Sequence, residues 1–498
     1  MRIKLITPPV YNEVTQQVTP GALPILTAVL REKGHYVEQD DLLIKVKYFN
    51  KVYDGLNLDK FDGKCFGHFF YNIKNNKHKE FNKVLERILD LTNYQDFDLI
   101  GFDAHSHFQL MSALALAKKM KEKVNTPIVI GGYYMGSINP QGYNNLNFVD
   151  FMVIGGGELA LLKLVDYLQK KAKLKDVPGL VYRKNGKMCQ NDIGNMPIEK
   201  VPMPDFNGIP FYLYDSPKNN GRAVPYQIAR GCQNRCAFCD RPLQKYEPKS
   251  GKKVIREIET LYKMYNVRHF EFSDTTVNAD PKLLGRICDG IIQKKMDITW
   301  RAFARIDKLD KTLVDKMKKS GCLALYFGIE TGSNRMLRFI QKDVTRELAA
   351  KNLKMCHEGG INNRIYLIAG LPSETKEDLD ATLSFIQENA PYLEKIKINL
   401  FKVRYSSFIN KDPEKYGLKD IKVRDALQLI PFYHKDTKRG ISKYTSYKAL
   451  QLAYWHHIVK KRKPHLMLIP DAAIKIALKF QKEFVDRKYN RYFNYWHD

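Results

Sequence analysis

The sequence predicts an α/β protein in three parts: a doubly wound parallel sheet over residues 1–175, a partial barrel of six βα units over 224–402, and a mainly helical region over 403–498. Three observations predict it. Short apolar runs alternate with helix-patterned segments almost to Phe401, which is how parallel sheets are written in sequence. The alternation is interrupted over residues 176–223, where Pro197, Pro202, Pro204 and Pro210 gather and an Asn185-Gly186 turn marks a β-hairpin. After Tyr405 the pattern is mainly helical.

In the first part, Lys4–Thr7 reads as a strand running into Pro8-Pro9. Gly21–Leu30 reads as a helix stopped at Gly34, and Tyr36–Asp41 as the returning strand. Residues 43–95 are rich in Asn, Lys and Tyr, with a helix expected near 78–92. Asp98–Phe102 is a strand, and Phe108–Lys121 a helix with Leu110, Leu114 and Ala117 on one face. Pro127–Gly132 and Asp150–Gly155 are continuous apolar strands ending in glycine, and a helix follows from Leu159 to about Lys170. Ligands of doubly wound sheets sit at the carboxyl ends of the strands. Gly131, Gly132, Gly155 and Gly156 fall at that edge, where the missing Cβ either admits a ligand or closes a tight turn. His105, past another strand end, is either a metal ligand or a hydrogen-bonded loop residue.

The barrel strands are Val224–Ala229, His269–Phe272, Ile298–Phe303, Ala324–Ile329, Arg364–Ile368 and Lys395–Phe401. Helices are expected over about 250–265, 281–294, 311–319, 333–340, 345–358 and 376–389. Polar residues at the carboxyl ends of such strands face one mouth of the barrel. Asp274, Arg305 and Glu330 hold these positions.

The first barrel strand leads into Gly231-Cys232-Gln233-Asn234-Arg235-Cys236-Ala237-Phe238-Cys239, a C-x3-C-x2-C loop. Three thiolates can hold three corners of a cubane iron–sulfur cluster and leave the fourth iron open. A structural zinc ion wants four ligands, and Cys65, Cys189, Cys288, Cys322 and Cys356 are scattered singly. His269 or His357 would have to complete a zinc site. The metal ligands assigned are therefore Cys232, Cys236 and Cys239; no catalytic side chain is assigned.

Composition sets outer bounds. Hydrophobic residues make up 44% of the chain, enough for real cores, which excludes a disordered protein. No signal-peptide pattern and no apolar run of membrane-spanning length appears. Unpaired cysteines suit a reducing cytosol. Lys and Arg outnumber Asp and Glu by 82 to 54, a formal charge of +28. That charge implies either an anionic partner or lysines spread over solvated helix faces.

The C-x3-C-x2-C loop with Phe238 before its last Cys resembles the radical SAM enzymes, in the branch with an N-terminal cobalamin-binding domain. Further segments are similar to that branch: Phe272-Ser-Asp274-Thr-Thr, Arg301-Ala-Phe-Ala-Arg305, Gly328-Ile-Glu330-Thr-Gly332-Ser333, and Gly370-Leu-Pro-Ser373-Glu374-Thr375, where Ser373 replaces the usual Gly. The resemblance implies a Rossmann-like cobalamin-binding domain, then a TIM-like radical SAM barrel. It implies a 4Fe–4S cluster that binds S-adenosylmethionine (SAM) and reduces it to a 5′-deoxyadenosyl radical. That radical takes hydrogen from an unactivated carbon, and cobalamin-dependent methyl transfer is the leading outcome. Phe238 would pack near the adenine, Arg305 and Glu330 would contact the ribose or methionyl part, and Asp274 would line the same rim. A reducing partner such as flavodoxin or ferredoxin is implied. The D-x-H-x-x-G cobalamin motif is broken here: Asp103-Ala-His105 continues Ser-His-Phe108. Relatives in this branch commonly bind cobalamin without that histidine.

The substrate class stays open among a peptide, a lipid, a tetrapyrrole and a natural-product intermediate. Radical cyclisation, coupling or oxidation without methylation is the enzymatic alternative. An iron–sulfur or zinc protein that binds nucleic acid is the alternative of another class. Methylthio transfer to tRNA would need a second cluster, for which the N-terminal region offers only Cys65 and Cys189. Near the C-terminus, His456-His457 and a basic helix from about Asp471 precede Tyr489, Tyr492, Phe493, Tyr495 and Trp496. The helix either packs over the barrel mouth or lies on an anionic membrane, making a cytoplasmic protein peripheral to it.

Overall fold

The computed structural model describes residues 1–9, 19–52, 79–137, 146–214, 222–239, 245–401, 403–404, 406–422 and 433–436. Two parallel sheets, each wrapped by helices, carry the molecule.

The first sheet contains β1 (Arg2–Thr7), β2 (Tyr36–Asp41), β3 (Leu99–Asp103), β4 (Ile128–Gly131) and β5 (Phe151–Val153), in the spatial order β2-β1-β3-β4-β5. All four pairings are parallel. The strands read as near-continuous apolar runs because helices cover both faces. α1 (Ala22–Arg31) and α5 (Gly157–Leu168) close one face around Leu23, Leu30 and Leu164. α3 (Lys79–Leu89) and α4 (His107–Lys121) close the other around Leu85, Leu110 and Leu114. α2 (Leu42–Val52), over a stretch with no clear sequence pattern, starts where the Asp41 carboxylate accepts from the amides of Leu43 and Ile44. Order reverses between β1 and β3, so the crevice at their carboxyl ends is the place for a ligand.

The hairpin expected in the connecting stretch has a different place. β6 (Leu180–Lys184) pairs antiparallel with β5, and β7 (Lys187–Gln190) pairs with β6. The first sheet therefore extends to seven strands. Its Asn185 and Gly186 both have positive φ, as a tight hairpin turn requires.

The second sheet is the barrel: β8 (Arg222–Tyr226), β11 (Val267–Phe272), β12 (Thr299–Ala304), β13 (Cys322–Glu330), β14 (Asn362–Ala369) and β15 (Leu393–Leu400). They are parallel neighbours in chain order, with β8 and β15 as the two edges. The intervening helices are α6 (Gly251–Met264), α7 (Pro281–Gln293), α8 (Lys311–Lys319), α9 (Asn334–Phe339), α10 (Arg346–Glu358) and α11 (Lys376–Asn389). Each begins at a Ser, Thr or Asp whose side chain accepts an amide of the first turn: Ser250, Asp280, Asp310, Ser333, Thr345 and Thr375. Such caps contribute about 1 kcal/mol each and fix where every helix starts.

The first barrel strand ends earlier than its apolar run suggests. β8 stops at Tyr226, and Ala229–Arg230 forms β9, paired antiparallel with β10 (Glu247–Pro248). After β15 the described chain holds a short helix, α12 (Phe408–Lys411), and the antiparallel pair β16 (Leu418–Lys422) and β17 (Tyr433–Asp436). His456, His457, the basic helix and the terminal aromatics lie outside the described residues, as does Cys65. Among the described residues no helix is long and apolar enough to cross a membrane.

The sheets meet near their carboxyl edges. The Arg230 guanidinium, one residue before the cysteine loop's Gly231, donates to Glu158 Oε1 in the first turn of α5 and to the Met196 carbonyl. Both side chains are 9% exposed. A buried pair broken on one side leaves an uncompensated charge costing about 3–5 kcal/mol. Glu158→Ala should therefore lose stability of that order in urea unfolding, and Glu158→Leu with Arg230→Met should recover most of it.

Candidate active site

The cysteine loop is gripped from three directions. From below, Asp274 accepts the amides of Ile228 at 3.2 Å and Ala229 at 2.5 Å. From the side, the Ala237 amide donates to the Ile340 carbonyl at 2.9 Å, at the end of α9. From the C-terminal segment, the Ile409 amide donates to the Ala237 carbonyl at 3.1 Å. Ala237 and Phe238 join Met336, Ile340, Leu371, Phe401, Ile409 and Tyr416 in a small separate core. The chain beyond β15, for which the sequence offered no motif, thus packs against the loop. Cys236 is buried, Cys232 and Cys239 half-buried, and none of the described cysteines forms a disulfide.

Glu330 sits at the end of β13 with φ 67°, a left-handed conformation uncommon outside glycine. Its carboxylate meets Lys342 Nζ at 2.9 Å. Gly328 makes room for this pair: a Cβ there would lie 2.3 Å from Glu330 Oε1 and 3.0 Å from Lys342 Nζ. Lys342 also stands 5.9 Å from the Phe238 ring centre. Burial works against its charge, but Glu330 and Cys236 outweigh burial and hold the ammonium above its usual range. Arg305 is 8% exposed, held by Asp307 at 2.7 and 2.9 Å and by the Lys342 carbonyl at 3.0 Å. Burial opposes its charge too, and Asp307 overcomes it, with Cys236 and Cys232 adding to the effect. In return, burial pushes the Cys236 thiol up while Lys342 and Arg305 pull it down. The Asn234 amide and side-chain nitrogen each lie 3.5 Å from Cys232 Sγ. This rim is built for anionic sulfur: two cations and an amide cluster face the thiols.

The structure therefore brings Cys232, Cys236, Cys239, Phe238, Arg305 and Glu330 to one rim. Lys342 joins them unforeseen; its only sequence signal was a lone Lys just past the helix that follows the Glu330 strand. Asp274 departs from its expected place lining the rim. It is 2% exposed, and its oxygens are on the backbone below the loop, so it positions the cysteines. Among the described residues no three His, Cys, Asp or Glu close around a single ion.

The Gly370-Leu-Pro-Ser373-Glu374 loop closes on itself, with the Gly370 amide donating to Glu374 Oε2 at 2.9 Å. Ser373 has φ 60°, which explains why glycine is usual there.

At the first sheet, the glycines answer to protein contacts. A Cβ on Gly132 would lie 2.5 Å from the Ala104 carbonyl oxygen. On Gly155 it would meet Ile193 at 2.7 Å, and on Gly156 the Asn195 side chain at 2.4 Å. A Cβ on Gly131 would find only ordinary contact, 3.8 Å from Val153. His105 Nε2 lies 2.7 Å from Asp103 Oδ2 at the end of β3. Thr7 Oγ1, at the end of β1, is buried with no hydrogen-bond partner among the described residues. That orphan hydroxyl stands at the crevice where the strand order reverses.

Comparison with known proteins bears on both halves. Residues 226–386 match the family model of the radical SAM superfamily. The barrel is a radical SAM domain. An uncharacterised methyltransferase of Pyrococcus horikoshii is 27% identical over 78% of this chain and 78% of its own length. An anaerobic magnesium-protoporphyrin IX monomethyl ester cyclase of Rubrivivax gelatinosus is 27% identical over 59% of this chain. The match spans 55% of that cyclase. In fold, the chain is similar to TsrM of Kitasatospora setae, a radical S-adenosylmethionine methyltransferase solved with cobalamin and a 4Fe–4S cluster bound. The TM-score is 0.66 at 14% identity, over 92% of this chain and 88% of that one. The chain thus carries a radical SAM domain, and its fold, N-terminal sheet included, is similar to that of TsrM. An enzyme superfamily displaces the nucleic-acid-binding alternative.

Two tests address this radical SAM rim. Gly328→Ala should cost about 1–3 kcal/mol in unfolding experiments, because the added methyl displaces a packed ion pair. Asp274 gives a pH signature. Burial pushes its carboxyl up to about 7, from 3.8 in the open chain. The folded state therefore holds this proton more tightly than the unfolded one. Stability tied to the group is complete below 3.8 and declines as pH rises towards 7. Asp274→Asn has no proton to lose, so its urea-unfolding stability should change less than the parent's across this window.

Proposed function

We propose that the enzyme holds a 4Fe–4S cluster on Cys232, Cys236 and Cys239, cleaves SAM reductively, and transfers a methyl group to an unactivated carbon with the help of cobalamin. The rim carries this reading: partly buried Lys342 and buried Arg305 face the thiols, and Glu330 and Phe238 stand beside them. When bound, the cluster supplies the electron that breaks the SAM sulfonium bond. The chain's own residues do the positioning. Lys342 and Arg305 offset thiolate charge that burial would otherwise disfavour. Glu330, fixed by its unusual backbone and by Lys342, is placed to accept from SAM hydroxyl or amino groups, and Phe238 to lie against the adenine. Asp274 holds the entry to the loop, and the segment around Ile409 its exit. An external reductant such as flavodoxin or ferredoxin would deliver the electron.

Cobalamin fits the carboxyl edge of the first sheet. Thr7 offers a buried hydroxyl there with no partner among the described residues, and His105, Gly131-Gly132 and Gly155-Gly156 bound the same edge. When bound, it supplies the methyl group. The Arg230–Glu158 pair ties this edge to the cysteine loop, as transfer between two cofactors requires. The cyclase relative supports a second reading, radical cyclisation without methylation on the same scaffold.

The two readings separate by measurement. Anaerobically reconstituted protein with SAM and a strong reductant should form 5′-deoxyadenosine, and Cys232→Ala should abolish it. Activity that survives in this variant overturns the cluster assignment. Iron, sulfide and cobalt counted together after reconstitution with cobalamin should show cobalt near one per chain. Iron without cobalt would remove methyl transfer and leave cyclisation.

A further inference from the structure

The barrel lumen carries a surface that the rim chemistry does not use. On β12, Trp300, Ala302 and Ala304 are buried against the helices, so Arg301 and Phe303 face inward. On β13, Leu325, Phe327 and Ile329 face the helices and Tyr326 faces inward. On β14, Ile365, Leu367 and Ala369 face the helices and Arg364 and Tyr366 face inward. The same alternation on β15 turns Lys397 inward, opposite Ile396 and Ile398.

Three aromatic rings from adjacent strands thus meet. Phe303 lies 5.1 Å from Tyr326 and 5.3 Å from Tyr366, and the two tyrosines are 6.3 Å apart. Phe303 remains 39% exposed, although it lies on a central strand of the sheet. Cations flank the rings towards the β15 edge. Arg364 stands 5.4 Å from the Tyr326 ring centre and donates to its hydroxyl at 3.2 Å. Lys397 is exposed and stands 5.7 Å from the Tyr366 ring centre. Glu394 offsets the charge of Arg364 at 2.9 Å. Among the described residues no carboxylate pairs with Lys397. Phe303 is two residues before Arg305, one side-chain layer or about 7 Å into the barrel from the rim.

We infer that the lumen is the substrate site and that it selects a small molecule with a planar aromatic or conjugated ring and a carboxylate. The ring lies on the Phe303–Tyr326–Tyr366 surface, and the carboxylate reaches Lys397. An aromatic cluster one layer below the rim, with Phe303 exposed, Tyr366 half-buried and Tyr326 buried behind them, offers an apolar π face where a radical formed at the rim would arrive. A purely lipid or saturated occupant has no use for tilted aromatic rings with cations on their flanks, and a cationic one is repelled by Lys397. This inference rests on the radical SAM reading for its purpose but not for its test.

Binding to the full-length reconstituted enzyme is measured by calorimetry with three probes: indole-3-acetate, its neutral amide indole-3-acetamide, and cyclohexaneacetate. Indole-3-acetate should bind tightest, by about tenfold over each of the others. Phe303→Ala should weaken both indoles, and Lys397→Met should erase the difference between acid and amide. Both substitutions are at exposed side chains, and thermal unfolding checks that they leave the fold intact. Equal binding of cyclohexaneacetate, no binding of any probe, or indifference to both variants overturns the inference. 5′-Deoxyadenosine formation in the same preparation keeps the two readings apart. Formation without probe binding removes only the substrate class, and binding without formation removes only the radical chemistry.

Discussion

One buried carboxylate sets up the active edge of this molecule. Asp274 ends the second barrel strand and takes hold of two amides at the end of the first. The first strand can no longer continue its ladder there, and the chain turns out as the cysteine loop. Burial makes this carboxylate costly to ionise, and two backbone donors make it useful. The same tension sets the loop's place, because each carboxyl oxygen accepts one of two neighbouring amides.

Above that anchor the site is an exercise in charge compensation. Thiols, a carboxylate, an ammonium and a guanidinium are brought together. Each would be disfavoured alone. Lys342 answers Glu330 and Cys236, and Asp307 answers Arg305. Glycine at 328 and a left-handed residue at 330 are the backbone terms of this arrangement. Strain of that kind persists where the surrounding structure over-determines it, as at functional sites.

The N-terminal sheet adds a second edge to the same space. Its strand order reverses at β1 and β3, and Glu158 after its last glycines reaches Arg230 beside the cysteine loop. A buried ion pair between two sheets holds one geometry better than an apolar contact would, since any slippage exposes an unpaired charge. This suits the methyl transfer proposed above, in which two cofactors would face one substrate.

Much of this was legible in the sequence. Apolar runs and helix periods marked the parallel strands, because both faces of each sheet are covered. Helix-patterned segments placed the six barrel helices to within a residue or so. The three cysteines and the strand-end positions of Arg305 and Glu330 marked the rim, since residues at strand ends must share one mouth. Tertiary structure alone decided the rest. The hairpin at Asn185-Gly186 joined the first sheet because β5 offered an open edge, which no local pattern reports. Asp274 went beneath the loop because two amides there lacked partners. Lys342 entered the site because α9 returns its end to Ala237, a contact made by packing across more than a hundred residues. The aromatic and cationic lining of the lumen came from four successive strands, brought side by side by register. Sequence determines which residues lie on a strand's inner face; only the closed sheet decides which of them touch.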